Sequence, residues 1–378
     1  MAMVLSEEQE FLQKTAKEFL TEEAPVSHLR KLRDTKDATG FSHELWKKMA
    51  GLGWTGITVP EKFGGSDLGY AELGIVLEEC GRTLCPEPFL STAVLGTSAL
   101  MLGGSALQQE SILPGVAKGE VILAVAFQEG PRFKPYAIET VAEIGEGYRL
   151  TGEKIFVLDG HVADHIIVVA RTSGRSGDRD GLSLFLVDAR SEGIEISRTL
   201  MVDSHNAARI KLTNVAVGTD ALLGAVDRGA DVFDRLLDIA TVAISAEMLG
   251  LANEAFERTT EYLKTREQFG VKIGSFQALK HRAALMFAEL ELSRSIVLDA
   301  LRAIDEDREE LSSLASTAKA RLSATASLVT REAIQMHGGI GMTDEEEIGF
   351  FLKRAKTAEL LLGDASYHRD RFATLQGF

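Results

Sequence analysis

The most constraining feature of this sequence is a change of hydrophobic spacing that divides the chain into three parts. From Ser6 to about Gly119 apolar residues recur at helical spacing. Short β-rich runs broken by Gly, Asp and Ser then extend from Val121 to Gly218, after which helical spacing returns. We predict an α+β, mostly α chain with an N-terminal helical domain (1–120), a β domain (121–227) and a C-terminal four-helix bundle (228–378).

The β part and the bundle each carry a more specific pattern. Because the β-rich runs follow one another with no helix between them, we predict an antiparallel, barrel-like sheet. Its strands are expected at residues 121–129, 148–158, 165–172, 182–189, 194–200 and 208–217. The first helix of the bundle, from Val232 to Thr265, is apolar on nearly all sides between Leu236 and Ala252, so we expect it to be buried at the centre of the bundle.

Charge and cysteine content narrow the functional classes. Lys and Arg number 41 against 56 Asp and Glu, so the net charge of −15 disfavours nucleic acid and anionic lipid as partners. The two cysteines, Cys80 and Cys85, exclude a disulfide scaffold and are expected to be reduced thiols. No His or Cys pair has metal-ligand spacing, so no metal site is predicted. The acidic, amphipathic N-terminus is unlike a signal peptide and no long apolar run occurs, which predicts a cytoplasmic protein without a membrane segment.

Three sequence blocks resemble one known family. Residues 262–286 read YLKTREQFGVKIGSFQALKHRAALM, and residues 332–356 read EAIQMHGGIGMTDEEEIGFFLKRAK. Both closely resemble the two signatures of the acyl-CoA dehydrogenase family. The run YRLTGEKIFVLDGHVADHIIVVART at residues 148–172 is similar to the family's strand-turn-strand beside the flavin. Three matches in the family's order extend the resemblance over nearly the whole chain and imply the family's fold.

The resemblance implies FAD that lies across a subunit interface, with the flavin ring in one protomer and the diphosphate and adenine reaching its neighbour. One part of that interface would comprise Arg266, Gln268, Phe269, Ile273, Phe276 and Gln277. These residue types suit the role, because Arg266 offers a fork of donors to a diphosphate and the phenylalanines offer flat apolar surface. The structural alternative is an ordinary helix end and loop with a surface arginine.

A glycine-rich turn supplies the second cofactor-binding element that the resemblance implies. Gly338, Gly339 and Gly341 follow a long predicted helix, and glycine allows a backbone to approach a ligand closely. Gln335, one turn earlier, matches a family position that touches the cofactor. The alternative is simple helix termination, since paired glycines end many helices. A βαβ dinucleotide fingerprint is excluded because no Gly-rich turn here joins a strand to a helix.

The half of the site that would face the flavin ring departs from the family pattern. Gln128 stands where active members have a threonine, Glu129 is retained, and a Gly-Ser-Asp element is missing from the stretch AFQEGPRFKP. Phe156 is expected to stack on the ring, whereas Leu158 replaces a hydroxyl-bearing residue. Contacts from backbone N–H groups to the flavin depend on strand geometry and are expected to persist.

The family's reaction needs a carboxylate that removes the α-proton of an acyl thioester while the flavin accepts the β-hydride. The two positions that carry this carboxylate in the family correspond here to Leu362 and Ala240. Glu247 lies two turns beyond Ala240 in an otherwise apolar stretch, where a buried carboxyl group is suited to act as a base. It is our candidate for the catalytic residue. The alternatives are that Glu247 forms a structural pair with Arg or Lys, or that Asp364 is the base.

Two functions follow from the resemblance. The first is an FAD-dependent acyl-CoA dehydrogenase that forms a trans double bond between Cα and Cβ and passes electrons to an electron-transferring flavoprotein. The second is a non-catalytic partner subunit that lends its half of the FAD site to a homologous chain. The ending LLLGDASYHRDRFA resembles the smaller subunits of bacterial heteromeric dehydrogenases that act on steroid side chains and other bulky acyl groups. Either function implies a homo- or heteromeric dimer or tetramer.

Overall fold

The computed structural model describes residues 4–378 and contains the predicted succession of helices, sheet and helices. The α-helices are α1 (Glu7–Glu23), α2 (Val26–Asp34), α3 (His43–Gly51), α4 (Tyr70–Thr83), α5 (Thr97–Gly103), α6 (Ala106–Ala117), α7 (Gly229–Thr265), α8 (Gln277–Asp305), α9 (Leu311–His337), α10 (Ile348–Leu360) and α11 (Ala365–Leu375). The strands are β1 (Leu123–Ala126), β2 (Val141–Ile144), β3 (Tyr148–Leu158), β4 (His165–Arg171), β5 (Leu182–Asp188), β6 (Ile194–Leu200), β7 (Asn206–Val217), β8 (Leu222–Leu223), β9 (Glu267–Gln268) and β10 (Val271–Lys272). A buried π-helix, Phe89–Gly96, precedes α5.

Side-chain caps fix where several helices begin. Ser6 caps α1 and forms a reciprocal capping box with Gln9, and Ser105 does the same with Gln108 at the start of α6. These bonds satisfy backbone N–H groups that have no partner inside the helix. The sequence of each cap therefore determines the first residue of the helix.

One compact unit of the chain is built from helices and comprises residues 4–31, 70–85 and 241–378. Within it α9 packs against α8, α10 and α11, and α4 packs against α1 and α8. Two glycines bring α4 and α7 into backbone contact. A Cβ at Gly81 would lie 2.1 Å from the carbonyl oxygen of Glu247, and a Cβ at Gly250 would lie 1.7 Å from that of Glu78. Glycine is therefore required at both positions for this close packing.

Helix α7 is buried on every face from Leu236 to Asn253, as its apolar sequence predicted. Among the described residues it is also the one helix long and apolar enough to span a bilayer. Its most apolar window is entirely buried within the protein. The apolar surface of α7 is thus accounted for by packing against other elements of the fold. Cys80 and Cys85 are buried free thiols, as expected.

The second compact unit, residues 32–69 and 86–240, contains the central sheet. The strand order is β6-β7-β3-β2-β4-β5-β8, with β1 paired to β4. Most neighbours are antiparallel, as predicted, but β1 and β2 each pair with β4 in parallel. The path ends at β6 and β8, so the sheet is open and only loosely barrel-like. Its core includes Leu150, Val168, Phe185 and Ile210, which are fully buried.

Candidate cofactor site

The segment that follows α7 forms a small exposed hairpin. β9 and β10 pair antiparallel, with Val271 opposite Gln268, and the turn between them consists of Phe269 and Gly270 at φ values of 56° and 76°. Two successive residues in the left-handed region are typical of a tight hairpin turn. The turn leaves the Phe269 side chain 91% exposed. An exposed aromatic ring on a hairpin tip is available to a ligand or to a second chain.

The polar side chains of this segment are available for binding. Arg266, Gln277 and Gln335 are exposed. Within residues 4–378 the Arg266 guanidinium forms neither an ion pair nor a hydrogen bond, whereas the neighbouring Lys272 is paired with Glu267 at 2.7 Å. Gln268 donates its amide N–H to the carbonyl oxygen of Glu267. Arg266 is thus an uncommitted cation with bidentate geometry, which suits a diphosphate.

The apolar residues of the segment shape its other side. Ile273 begins a short 3-10 turn and is half-buried. The Phe269 and Phe276 rings meet edge to face, with 6.1 Å between their centroids. Phe276 is 38% exposed. The two rings therefore present two nearly perpendicular apolar faces in the segment that follows Arg266.

The glycine-rich turn ends α9 as the sequence predicted. Gly338 adopts φ 66° and ψ −141°, a conformation open essentially to glycine alone. A Cβ at Gly338 or Gly339 would meet no atom of the chain within 4 Å, so the space beside both residues is open. Gly341 differs, because its Cβ would lie 2.9 Å from the carbonyl oxygen of Ile334. The turn thus presents bare backbone to solvent at two of its three glycines.

Two contacts hold the hairpin segment and the glycine turn at the same end of the helical unit. The ring of Tyr262, near the end of α7, stacks on His337, the last residue of α9, at 4.4 Å between centroids. Arg282, near the start of α8, pairs with Glu332 on α9. A cleft of about 400 Å³ lined by Gly341, Met342 and Phe350 among others opens at this end of α9. Donors, aromatic rings and open backbone are thus brought together, as an extended nucleotide requires.

The predicted ring-facing residues lie where the segment after β1 meets β3, an interior strand of the central sheet. Gln128 follows β1 and is joined to β3 by a 2.8 Å bond from the backbone N–H of Ile155 to its carbonyl oxygen. Its side-chain amide donates to the carbonyl oxygen of Gly130. Phe156 is 42% exposed and Leu158 is half-buried. We call Gln128, Phe156 and Leu158 the β1–β3 group.

The candidate base Glu247 is held in a buried ion pair. Its carboxylate accepts a bond of 2.7 Å from Nε of Arg354 on α10 and a second bond from the same guanidinium. Both side chains are less than a tenth exposed. This contact is the structural alternative named above. Asp364 accepts a bond from the backbone N–H of Tyr367 and caps α11, so its carboxylate also has a structural partner.

Ala240 and Leu362, the two positions at which the resemblance predicts the family's base, carry no carboxyl group. Ala240 is fully buried in α7. Leu362 is buried in the turn before α11 at a φ of 59°. Among the described residues no cluster of His, Cys, Asp or Glu side chains is arranged to hold a metal ion.

Lys154 and Glu129 form a second buried ion pair, which was not predicted from the sequence. Nζ of Lys154 lies 2.6 Å from Oε1 of Glu129, and the lysine is fully buried. Alternation along β3 carries the signal that would have identified it, because Tyr148, Leu150 and Lys154 all fall on buried positions of one strand. A lysine at an inward position needs a partner.

Family models match the three parts of the chain in order. Residues 6–120 match the acyl-CoA dehydrogenase N-terminal domain, residues 128–215 the middle domain and residues 227–374 the C-terminal domain. The chain belongs to the acyl-CoA dehydrogenase family. It is accordingly an oxidoreductase of the flavoprotein class whose cofactor is FAD.

Individual relatives match over nearly their whole lengths. The probable acyl-CoA dehydrogenase YngJ of Bacillus subtilis is 31% identical, with 98% of each chain covered. Among solved structures, the Tcur3481-Tcur3483 steroid ACAD is 32% identical with a TM-score of 0.87, and 98% of each chain is covered. The ChsE4-ChsE5 complex from Mycobacterium tuberculosis is 27% identical with a TM-score of 0.90 over the full length of both chains. The resemblance to chains from two-component assemblies agrees with the predicted smaller-subunit type.

Proposed function

We propose that the chain takes part in FAD-dependent α,β-dehydrogenation of an acyl-CoA thioester, within an assembly that shares FAD between subunits and passes electrons to an electron-transferring flavoprotein. The observation that carries this proposal is the group of uncommitted donors at one end of the helical unit. Arg266, Gln277 and Gln335 are exposed, and open space lies beside Gly338 and Gly339. A diphosphate neutralises the arginine, and the glutamine amides can donate or accept hydrogen bonds.

A second candidate function is a non-catalytic partner role, in which this chain lends its Arg266–Gln277 and Gln335–Gly341 segments to FAD held by a homologous catalytic chain. The Glu247–Arg354 pair supports it. A general base must reach the substrate proton, and Glu247 instead directs its carboxylate to a buried guanidinium. Loss of the Glu247 carboxylate would remove an ion-pair partner from the buried Arg354 guanidinium, which is destabilising. The catalytic role of Glu247 remains our prediction for a chain that acts alone.

We expect acyl-CoA thioesters of fatty acid or steroid side-chain β-oxidation, because the matched relatives include a steroid ACAD. We also expect the enzyme to act in the cytoplasm. The size of the acyl group is best determined by titration with short, branched and bulky acyl-CoAs in parallel.

The decisive experiment is purification of the chain alone and together with a homologous catalytic subunit, followed by a visible spectrum and anaerobic titration with acyl-CoA. Bleaching of flavin in the isolated chain would establish that it catalyses dehydrogenation by itself. Bound flavin that bleaches only after the homologous subunit is added would establish the partner role. If neither preparation retains FAD, the proposed function is wrong.

A further inference from the structure

Lys154 is a fully buried amine that neither proposed function uses. Its Nζ donates to Oε1 of Glu129 at 2.6 Å, to the carbonyl oxygen of Val169 at 2.6 Å and to that of Phe127 at 3.4 Å. Val169 lies in β4, and Phe127 follows β1. One ammonium group therefore ties β3 to two other segments of the sheet.

The Glu129 carboxylate also accepts several hydrogen bonds. Besides the lysine, it accepts bonds from the backbone N–H of Glu139 at 2.6 Å, the backbone N–H of Thr140 at 3.0 Å and the Thr140 hydroxyl at 2.7 Å. Burial alone would raise the pKa of Glu129, but the Lys154 ammonium and these donors lower it. Burial lowers the pKa of Lys154 to about 8 although Glu129 opposes the shift. Loss of either partner therefore leaves the other as a buried charge without its ion-pair partner.

The residues that flank this pair form the β1–β3 group. Gln128 adjoins Glu129 in the chain, and its carbonyl oxygen accepts the N–H of Ile155, the residue after Lys154. The register between β3 and β7 shifts between Lys154 and Val157. Phe156 lies in this bulge at a φ of 53° with its side chain partly exposed. A phenylalanine in the left-handed region is strained, and such strain persists only where surrounding contacts enforce it.

We infer that the buried Lys154–Glu129 pair is a positioning device that holds Gln128, Phe156 and Leu158 in place to face the flat ring of a bound cofactor. The pair fixes the end of β1 against β3 on one side of the bulge. On the other side, Asp159 accepts a hydrogen bond of 2.7 Å from the hydroxyl of Ser91 in the π-helix. Between these two anchors the backbone at Phe156 is held from both sides. The inference rests on the proposed use of FAD.

The test compares Lys154→Met with the double variant Lys154→Met/Glu129→Gln, in whichever assembly holds FAD in the wild type. The double variant leaves no unpaired buried carboxylate, so it separates positioning from stability. We expect both variants to shift the flavin absorption bands and to weaken FAD binding about tenfold, the effect of losing one ordinary contact. Amide exchange at Ile155–Leu158 should accelerate in flavin-free protein. Lys211, an exposed lysine on the neighbouring strand β7, provides the matched control, and Lys211→Met should change none of these three properties.

Each outcome decides the inference. Wild-type spectra and exchange rates in the folded double variant would overturn it and leave the proposed function intact. Loss of folding in both variants would assign the pair to stability alone and would also overturn it. Faster exchange in the flavin-free variants, with a shifted flavin spectrum in the assembly, would support it. A wild type that retains no flavin in any combination contradicts the proposed function itself.

Discussion

At the scale of single residues, Arg266 is the side chain on which the shared-cofactor proposal depends most. It is exposed and has no partner within the described residues, so its five donors are free for an anion. Arg266→Ala should lower FAD retention, because a charge-assisted hydrogen bond contributes about 1.5–3 kcal/mol. The measurement is the flavin-to-protein ratio after gel filtration of the FAD-containing assembly. Arg190→Ala at another exposed arginine is the control, and an equal loss in both variants would remove Arg266 from the site.

Glu247 permits a second prediction at this scale. If the isolated chain bleaches its flavin with acyl-CoA, Glu247→Gln should reduce turnover at least about a hundredfold, as removal of a general base does, with little change in acyl-CoA binding. The buried pair adds an expectation about folding. Arg354→Met leaves the carboxylate unpaired and should lower the free energy of unfolding by about 3–5 kcal/mol. Full turnover in the glutamine variant would exclude Glu247 as the base.

At the scale of elements, the turn after α9 offers a matched pair of glycines. Gly338 has a positive φ, whereas Gly339 does not, and a Cβ at either residue meets open space. Gly338→Ala should therefore cost about 1–3 kcal/mol of stability through backbone strain. Gly339→Ala should fold like the wild type but retain less FAD, because its methyl group would occupy space kept for the ligand. Thermal melts and flavin ratios of both variants test this, and normal FAD retention in Gly339→Ala would place the cofactor elsewhere.

Strands were predicted correctly where the sequence contains a distinct β-rich run. The prediction failed for short strands and for pairings that depend on distant parts of the chain. β3 and β6 begin and end where the β-rich runs of the sequence predicted. β2 was missed because only Ala142 among its four residues is buried, and β8 was missed because it has two residues. The parallel pairing of β1 with β4 is a non-local choice that local spacing does not encode. The π-helix at Phe89–Gly96 has the apolar composition of any buried helix, so the sequence did not indicate that its turns are wider than those of an α-helix.

At the scale of the whole molecule, the sequence indicated the family and its helical bundle but not the partners of buried charges. Arg354 lies 107 residues from Glu247, and no periodicity in the chain connects the two. Lys154 and Glu129 lie 25 residues apart on different segments. Folding brings such pairs together, so sequence patterns identify the isolated charge and only the structure identifies its partner. The sequence likewise could not show that Arg266 has no ion-pair partner among the described residues, because this depends on where the neighbouring carboxylates lie in the folded chain.

A buried charge cluster in the helical unit makes the stability of the whole molecule depend on pH. Glu79 on α4 is 4% exposed, and the nearest cation, Nε of Arg82, is 3.6 Å away. Arg82 is also paired with Glu254 and Glu257, so its charge is shared. Burial raises the pKa of Glu79 to about 7; Arg82 and Lys17 oppose this shift, and Glu78 and Glu257 add to it.

The sign of the effect follows from the raised pKa of Glu79. The folded state binds this proton more tightly than the unfolded state, so the contribution to stability is fully present below about pH 4.5 and is lost as pH rises through about 7. The shift corresponds to at most about 3 kcal/mol. His368 acts in the opposite direction, because burial lowers its pKa to about 3. Glutamine does not titrate, so we expect the free energy of unfolding of Glu79→Gln to rise relative to that of the wild type as the pH is raised from 5 to 8. Urea titrations at each pH measure this difference. Glu22→Gln, on the exposed face of α1, is the control. A difference that stays constant across this range would show that Glu79 is already ionised in the folded protein.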